Sequence, residues 1–185
     1  MVMIDRQSRR VWTFDPAYTT VEFVIRNFWF KVKGRFRELE GSLVLDENDV
    51  SQSSVTATIR AKSLDTGNKR RDAHLLSREF FDVDQFPDIE FKSTRIKRGK
   101  DRDSLDLDGE LTIKNKTVPI ALAVNEMDRS RSPSGEEFVY YSASTELDRF
   151  AFGINYGPGV IGRRLRVTIN VQASNSSQMS FAQKH

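Results

Sequence analysis

Cysteine is missing from this chain altogether, and histidine nearly so: His74 and His185 are the only two. The first absence excludes a disulfide framework, a zinc–thiolate site and thiol catalysis. The second argues against a metal site built on clustered histidines, and no metal or organic cofactor is expected. No stretch approaches the ~18 consecutive apolar residues of a membrane span, so stable membrane insertion is not expected. Neither sign of charge dominates, with 29 Lys and Arg against 26 Asp and Glu and a net charge of +3. That balance offers no electrostatic footprint for nucleic acid, which is not an expected partner. The opening ten residues carry Asp5, Arg6, Arg9 and Arg10 and lack the apolar core of a secretory signal. The expected compartment is the cytoplasm, or the periplasm if a leader has been removed.

What the chain does have is alternation. Val21, Phe23 and Ile25 alternate with Glu22 and Arg26, a period of two that marks a half-buried strand. The pattern returns at Leu43 and Leu45, at Val55, Ala57, Ile59 and Ala61, and at Ile89 and Phe91. It returns again from Leu105 to Ile113, from Val118 to Val124, from Val139 to Leu147 and from Leu165 to Val171. With Val11-Trp12-Thr13-Phe14, about eight or nine strands are predicted. One segment breaks the pattern. Between residues 68 and 82, Ala73, Leu76, Phe80 and Phe81 fall nearer helical spacing, which predicts a short helical insertion. One short helix cannot cover the apolar face of so many strands, whereas closing the sheet on itself covers the face and removes the edges. The expected fold is therefore all-β, an antiparallel barrel of about eight strands spanning residues 11–173. An N-terminal extension of ten residues would precede it. A Ser-, Asn- and Gln-rich tail, residues 174–185, is expected to be disordered.

Several motifs invite sharper readings and do not sustain them. Gly157-Pro-Gly-Val-Ile-Gly162 fits a dinucleotide fingerprint, but an alternating strand follows it where a helix is required. Asp103, Asp106 and Asp108 lack the spacing and the closing glutamate of a calcium loop. Asp72 and His74 lie two apart and cannot face each other as an acid–base pair; His74 reads as a hydrogen-bonded structural residue. With no nucleophile in a recognisable elbow, the chain is not expected to be an enzyme.

The motifs, in order, resemble the YceI family of lipocalin-like, polyisoprenoid-binding proteins. Asp15-Pro-Ala-Tyr-Thr-Thr-Val-Glu-Phe23 is similar to the family's opening strand, and Lys33-Gly-Arg-Phe36 with Leu39-Glu-Gly41 to its second. Ser63-Leu-Asp-Thr-Gly-Asn68, Arg71-Asp-Ala-His-Leu75, Phe80-Phe-Asp82 and Phe86-Pro87 resemble its helical insertion. Leu107-Asp-Gly-Glu-Leu-Thr-Ile113 with Val118-Pro119 resembles its central hairpin, and Leu147-Asp-Arg149 with Phe152-Gly153 its penultimate strand. The chain departs from the family's pattern at Tyr18, where a histidine is usual, and at Ala151, where an acidic residue is usual. The resemblance implies an extended barrel with an apolar tunnel that binds, stores or transports a long isoprenoid lipid, such as an isoprenoid quinone or a polyprenyl diphosphate.

Placed on that fold, the expected tunnel lining is Phe23, Ile25, Phe36, Leu43, Ile59, Phe81, Phe91, Leu122, Val124, Tyr141 and Phe152. Arg163 and Arg164 are candidates for an anionic headgroup, because guanidinium forks suit phosphate oxygens. The alternative is a barrel filled by its own side chains and used as a protein-interaction or stress-response module without lipid. Phe28-Trp29-Phe30 motivates it, since three consecutive aromatics must put some outward; a homodimer would be one use of such a patch.

Overall fold

The computed structural model describes residues 9–175, and there eleven strands form one antiparallel sheet. They are β1 (Arg9–Phe14), β2 (Thr20–Asn27), β3 (Phe30–Phe36), β4 (Leu39–Asp46), β5 (Ser54–Arg60), β6 (Leu64–Asp65), β7 (Asp88–Arg98), β8 (Ser104–Ile113), β9 (Lys116–Arg131), β10 (Glu137–Asp148) and β11 (Ile161–Asn175). One helix, α1 (Lys69–Leu76), lies between β6 and β7. No helix among the described residues is long and apolar enough to cross a membrane.

The register reduces eleven strands to eight staves. Along one edge of β11, β2 pairs from Asn27↔Ile161 to Thr20↔Asn170, and β1 continues at Phe14↔Ala173. β1 and β2 are thus one stave with a jog at residues 15–19. The Asp15 amide donates to the Gln172 carbonyl at 2.8 Å, so the jog stays tied to the ladder. β3 and β4 form a second broken stave, pairing β2 and β1 in turn. β5 and β6 form the third, interrupted by a 3₁₀ turn at Ala61–Ser63. β7 to β11 run unbroken, and the β1–β11 pairing closes an eight-stranded barrel. Closure leaves no long unpaired edge. The alternation read from sequence becomes an inner apolar row and an outer polar row on every stave.

Closure is incomplete at one place. β5 pairs with β7, but among the described residues β6 has no partner on that side, and α1 follows closely. Asn68 caps the helix, accepting from the Arg71 amide at 3.0 Å. The helix ends at Leu76, sooner than the insertion read from sequence. There the Ser77 hydroxyl bonds back to the His74 carbonyl at 2.6 Å, and the chain reverses so that the Phe81 amide donates to the Leu75 carbonyl. Ala73 is exposed; Leu75 and Leu76 are the half-buried helical residues, with Phe80 and Phe81 reaching inward from the turns beyond. At the far end of the sheet the ladder runs on through Ser174 and Asn175, two residues into the polar tail. The rest of that tail, and residues 1–8, lie outside the described residues.

Candidate functional site

The barrel is hollow. A cavity of about 530 Å³ runs inside it, lined by inward residues of every unbroken stave and of β2 to β5. That volume falls in the range of small-molecule sites, ~300–1,000 Å³. On β11 the lining extends from Ile161 to Val171, roughly 30 Å of extended chain.

A barrel of eight strands is only just wide enough to be filled by its side chains, so its aromatic rings must be accommodated for a bore to remain. Glycines in the wall do this. A Cβ on Gly34 would lie 2.3 Å from Phe23 Cζ; on Gly109, 2.4 Å from Phe91 Cζ; on Gly41, 2.6 Å from the ring of Phe14. Each ring occupies the space of the missing side chain and so rests against the wall. Ala57 and Ala143 widen the bore further. Apolar lining residues such as Ile25, Ile59, Phe91 and Leu165 consequently remain only half-buried, although they point inward.

Polar groups gather at the end that carries α1. Arg71 there donates from Nε to Thr66 Oγ1 and from Nη2 to the Thr66 carbonyl, both at 2.8 Å. Its Nη1 has no hydrogen bond among the described residues. Asp72, turned away, accepts from the Thr66 amide at 3.0 Å. His74 lies with Nε2 2.5 Å from Glu79 Oε2 and packs edge-on against Phe80 and Tyr156, at 5.1 and 4.9 Å between ring centroids. Arg149 is 4% exposed. It donates to the carbonyls of Ile154 (2.7 Å), Gly162 (2.9 Å) and Ile161 (3.0 Å), pinning the 153–160 loop to the start of β11. Burial lowers its pKa, opposed by the neighbouring Asp148. Of the lining residues, Tyr156 and Val160 alone are exposed among the described residues, which locates the mouth beside that loop.

The opposite end is packed. Phe14, Ala173 and Val139 stand in register across three neighbouring staves, with Trp12 beyond them, and Trp12, Val139 and Ala173 lie outside the cavity lining. The Tyr141 hydroxyl donates to Glu126 Oε2 at 3.1 Å, and Arg129 bridges Glu126 to Glu47. Burial, and then the charge of Glu126, push the Tyr141 phenol above its ordinary range.

All eleven residues expected at the lining do line this cavity. Arg163 and Arg164 do not: they sit on the outside, held by Asp148 at 2.7 Å and Glu146 at 3.1 Å. The guanidinium groups at the cavity are Arg71 and Arg149. Both occur in motifs quoted from the sequence, but neither has a local signal that points it inward. Two of the three aspartates of the would-be calcium loop are ladder partners instead, Asp108 of Arg95 and Asp106 of Lys97, and Asp103 lies in the turn before β8.

The model of the YceI-like domain matches residues 12–173, from Trp12 in β1 to Ala173 in β11. The chain belongs to the YceI-like family. A UPF0312 protein of Enterobacter sp. (strain 638) is 32% identical over 159 residues, covering 85% of this chain and 82% of that one. Protein YceI of Salmonella arizonae is 31% identical with the same coverage. BcnA of Burkholderia cenocepacia superposes with a TM-score of 0.78 at 20% identity, covering 86% of this chain and 98% of that one. A polyisoprenoid binding domain from Saccharophagus degradans superposes with a TM-score of 0.68 at 14% identity, covering 89% and 98%. The YceI-like domain thus coincides with the barrel: the matched stretch begins and ends on the strands that close it, and it includes the insertion that carries Arg71 and His74.

Proposed function

We propose that this YceI-like protein is a carrier rather than a catalyst, holding the chain of a long isoprenoid lipid, such as a quinone or a polyprenyl diphosphate, inside the barrel. One observation carries the reading: an apolar bore about 530 Å³ in volume, kept open by glycines beneath its aromatic rings. The solved relative described as a polyisoprenoid binding domain supports the ligand class. The driving force is hydrophobic: one five-carbon isoprene unit transferred from water supplies roughly 3 kcal/mol gross. Several units outweigh the ordering of a flexible chain. Branched tails suit a wall of half-buried Ile, Leu and Phe, and selectivity follows the length and width of the bore. The headgroup stays at the mouth, near Arg71, whose free Nη1 donors are placed for an oxygen acceptor. Arg163 and Arg164, already paired on the outside, would have to leave their carboxylates to serve there. The bore also weighs against the filled-barrel alternative.

The test is native mass spectrometry of freshly purified protein with extraction of bound lipid, followed by titration of the emptied protein with an isoprenoid quinone. A stoichiometric adduct is expected, and Ala57→Trp, which fills the bore, should abolish it while the fold persists. Absence of endogenous lipid together with failure to take up quinone or prenyl lipid would refute the reading.

A further inference from the structure

β2 and β3 are joined by a two-residue turn, Phe28-Trp29, between the paired residues Asn27 and Phe30. Such turns favour Asn or Gly, because the backbone enters the left-handed region. Here Phe28 has a φ of 51°, a costly conformation for a bulky side chain. The aromatics gain no burial in return: Phe28, Trp29 and Phe30 are 60%, 93% and 73% exposed. Backbone strain accepted in order to display aromatic rings points to a contact outside the molecule.

The position of this tip defines the contact. The Phe28 amide donates to the Val160 carbonyl at 2.9 Å, and Asn27, Val160 and Tyr156 line the cavity. The aromatic tip is therefore the rim of the mouth. Its charge is one-sided. From Phe23 to Arg37 the chain carries Arg26, Lys31, Lys33, Arg35 and Arg37 and no carboxylate. Arg35 and Arg37 are engaged by Asp65. Arg26, Lys31 and Lys33 have no ion-pair partner among the described residues, and the 153–160 loop opposite contains no acid. Exposed Trp and Phe beside unpaired cations are what an anionic lipid interface selects: aromatic rings settle at the headgroup level, and each Lys or Arg near the surface adds attraction.

We infer that the Phe28-Trp29-Phe30 tip seats the mouth of the barrel on a bilayer bearing anionic headgroups. The inference rests on the lipid-carrier reading and deepens it: a docked mouth lets an isoprenoid tail pass between membrane and bore without crossing water. The contact is peripheral, because one hairpin tip reaches only the interfacial layer.

Flotation with vesicles of phosphatidylcholine, with and without phosphatidylglycerol, tests it, read together with tryptophan emission; Trp12 is buried, so a change reports Trp29. Wild type should partition on the order of ten-fold more strongly into the anionic vesicles, with emission shifted to the blue, and added salt should release it. Trp29→Ser should lower partitioning on the order of ten-fold, and Lys31→Gln with Lys33→Gln should remove the preference for anionic lipid. Neither change touches the core, and both variants should take up detergent-solubilised quinone as wild type does. Equal partitioning of wild type and Trp29→Ser, or no partitioning of either, overturns the docking proposal. So does a stable dimer that Trp29→Lys dissolves, which would assign the tip to a second copy of the chain. Quinone uptake without vesicle binding sinks docking alone. Vesicle binding by protein that carries no endogenous lipid and takes up neither quinone nor prenyl lipid sinks the carrier reading and leaves the docking surface standing.

Discussion

At one end of the barrel Trp12, Val139 and Ala173 are at most 1% exposed, and Arg10–Glu137 and Arg9–Asp46 ion pairs lace the strands outside them. At the other end three aromatics stand in solvent and Tyr156 and Val160 leave a mouth. Both ends are built from the same inward alternation of apolar residues. They differ in how the staves run. At the packed end the β1–β11 ladder closes the sheet, and inward side chains meet across the bore. At the open end β6 has no partner toward β7 among the described residues, and a helix and a loop follow where that ladder is interrupted. Where the sheet closes tightly the side chains hold the fold; where it does not, they remain available to a guest.

That division can be broken by substitution. Trp12→Ala should be the costliest, about 4 kcal/mol from the transfer and cavity terms together, read as a fall in urea stability. Quinone uptake per folded molecule should stay unchanged; a lost uptake would mean that the packed end is part of the site. Arg149→Ala should cost roughly 2 kcal/mol, because the carbonyls of Ile154, Ile161 and Gly162 lose their donor. Its signature is local: hydrogen exchange across 153–162 should accelerate while β1 and β4 stay protected. Gly109→Ala should cost about 2 kcal/mol: the displaced Phe91 ring can swing into open bore, but the Lys92 carbonyl, 2.7 Å from the added carbon, must shift with its strand. Quinone capacity should fall with it, and an unchanged capacity would show that the ring has room elsewhere.

The smallest effect is alkaline. The Tyr141 phenol is raised in the folded protein, so its contribution is present below its ordinary pKa of ~10 and is lost as pH rises toward the folded value. Thermal unfolding followed above pH ~10 should show wild type losing stability more steeply than Tyr141→Phe. Equal slopes would remove Tyr141 from the account of the packed end.

Much of this was legible in the residues. Alternation with period two reports which side chains face inward, and all eleven expected lining residues reach the cavity. The helical insertion was legible in position but not in length, because Phe80 and Phe81 keep helical spacing after Ser77 has ended the helix. The count of strands was ambiguous because a jog at residues 15–19 and a gap at 37–38 look like loops until pairing shows one stave continuing. Arg163 and Arg164 show a harder limit. Their carboxylate partners, Asp148 and Glu146, come from the neighbouring strand β10, and the register irregularity between Ile161 and Leu165, where regular alternation would have sent one of the two inward, leaves both exposed.

The residues alone therefore determined the inner and outer faces, the all-β barrel and the apolar character of its lining, because side-chain direction along a strand is a local property. Only the tertiary structure decided that the bore is open, which end is packed, and that an exposed aromatic tip borders the mouth. Those depend on distances across the barrel and on which strand meets which, and no local pattern encodes either.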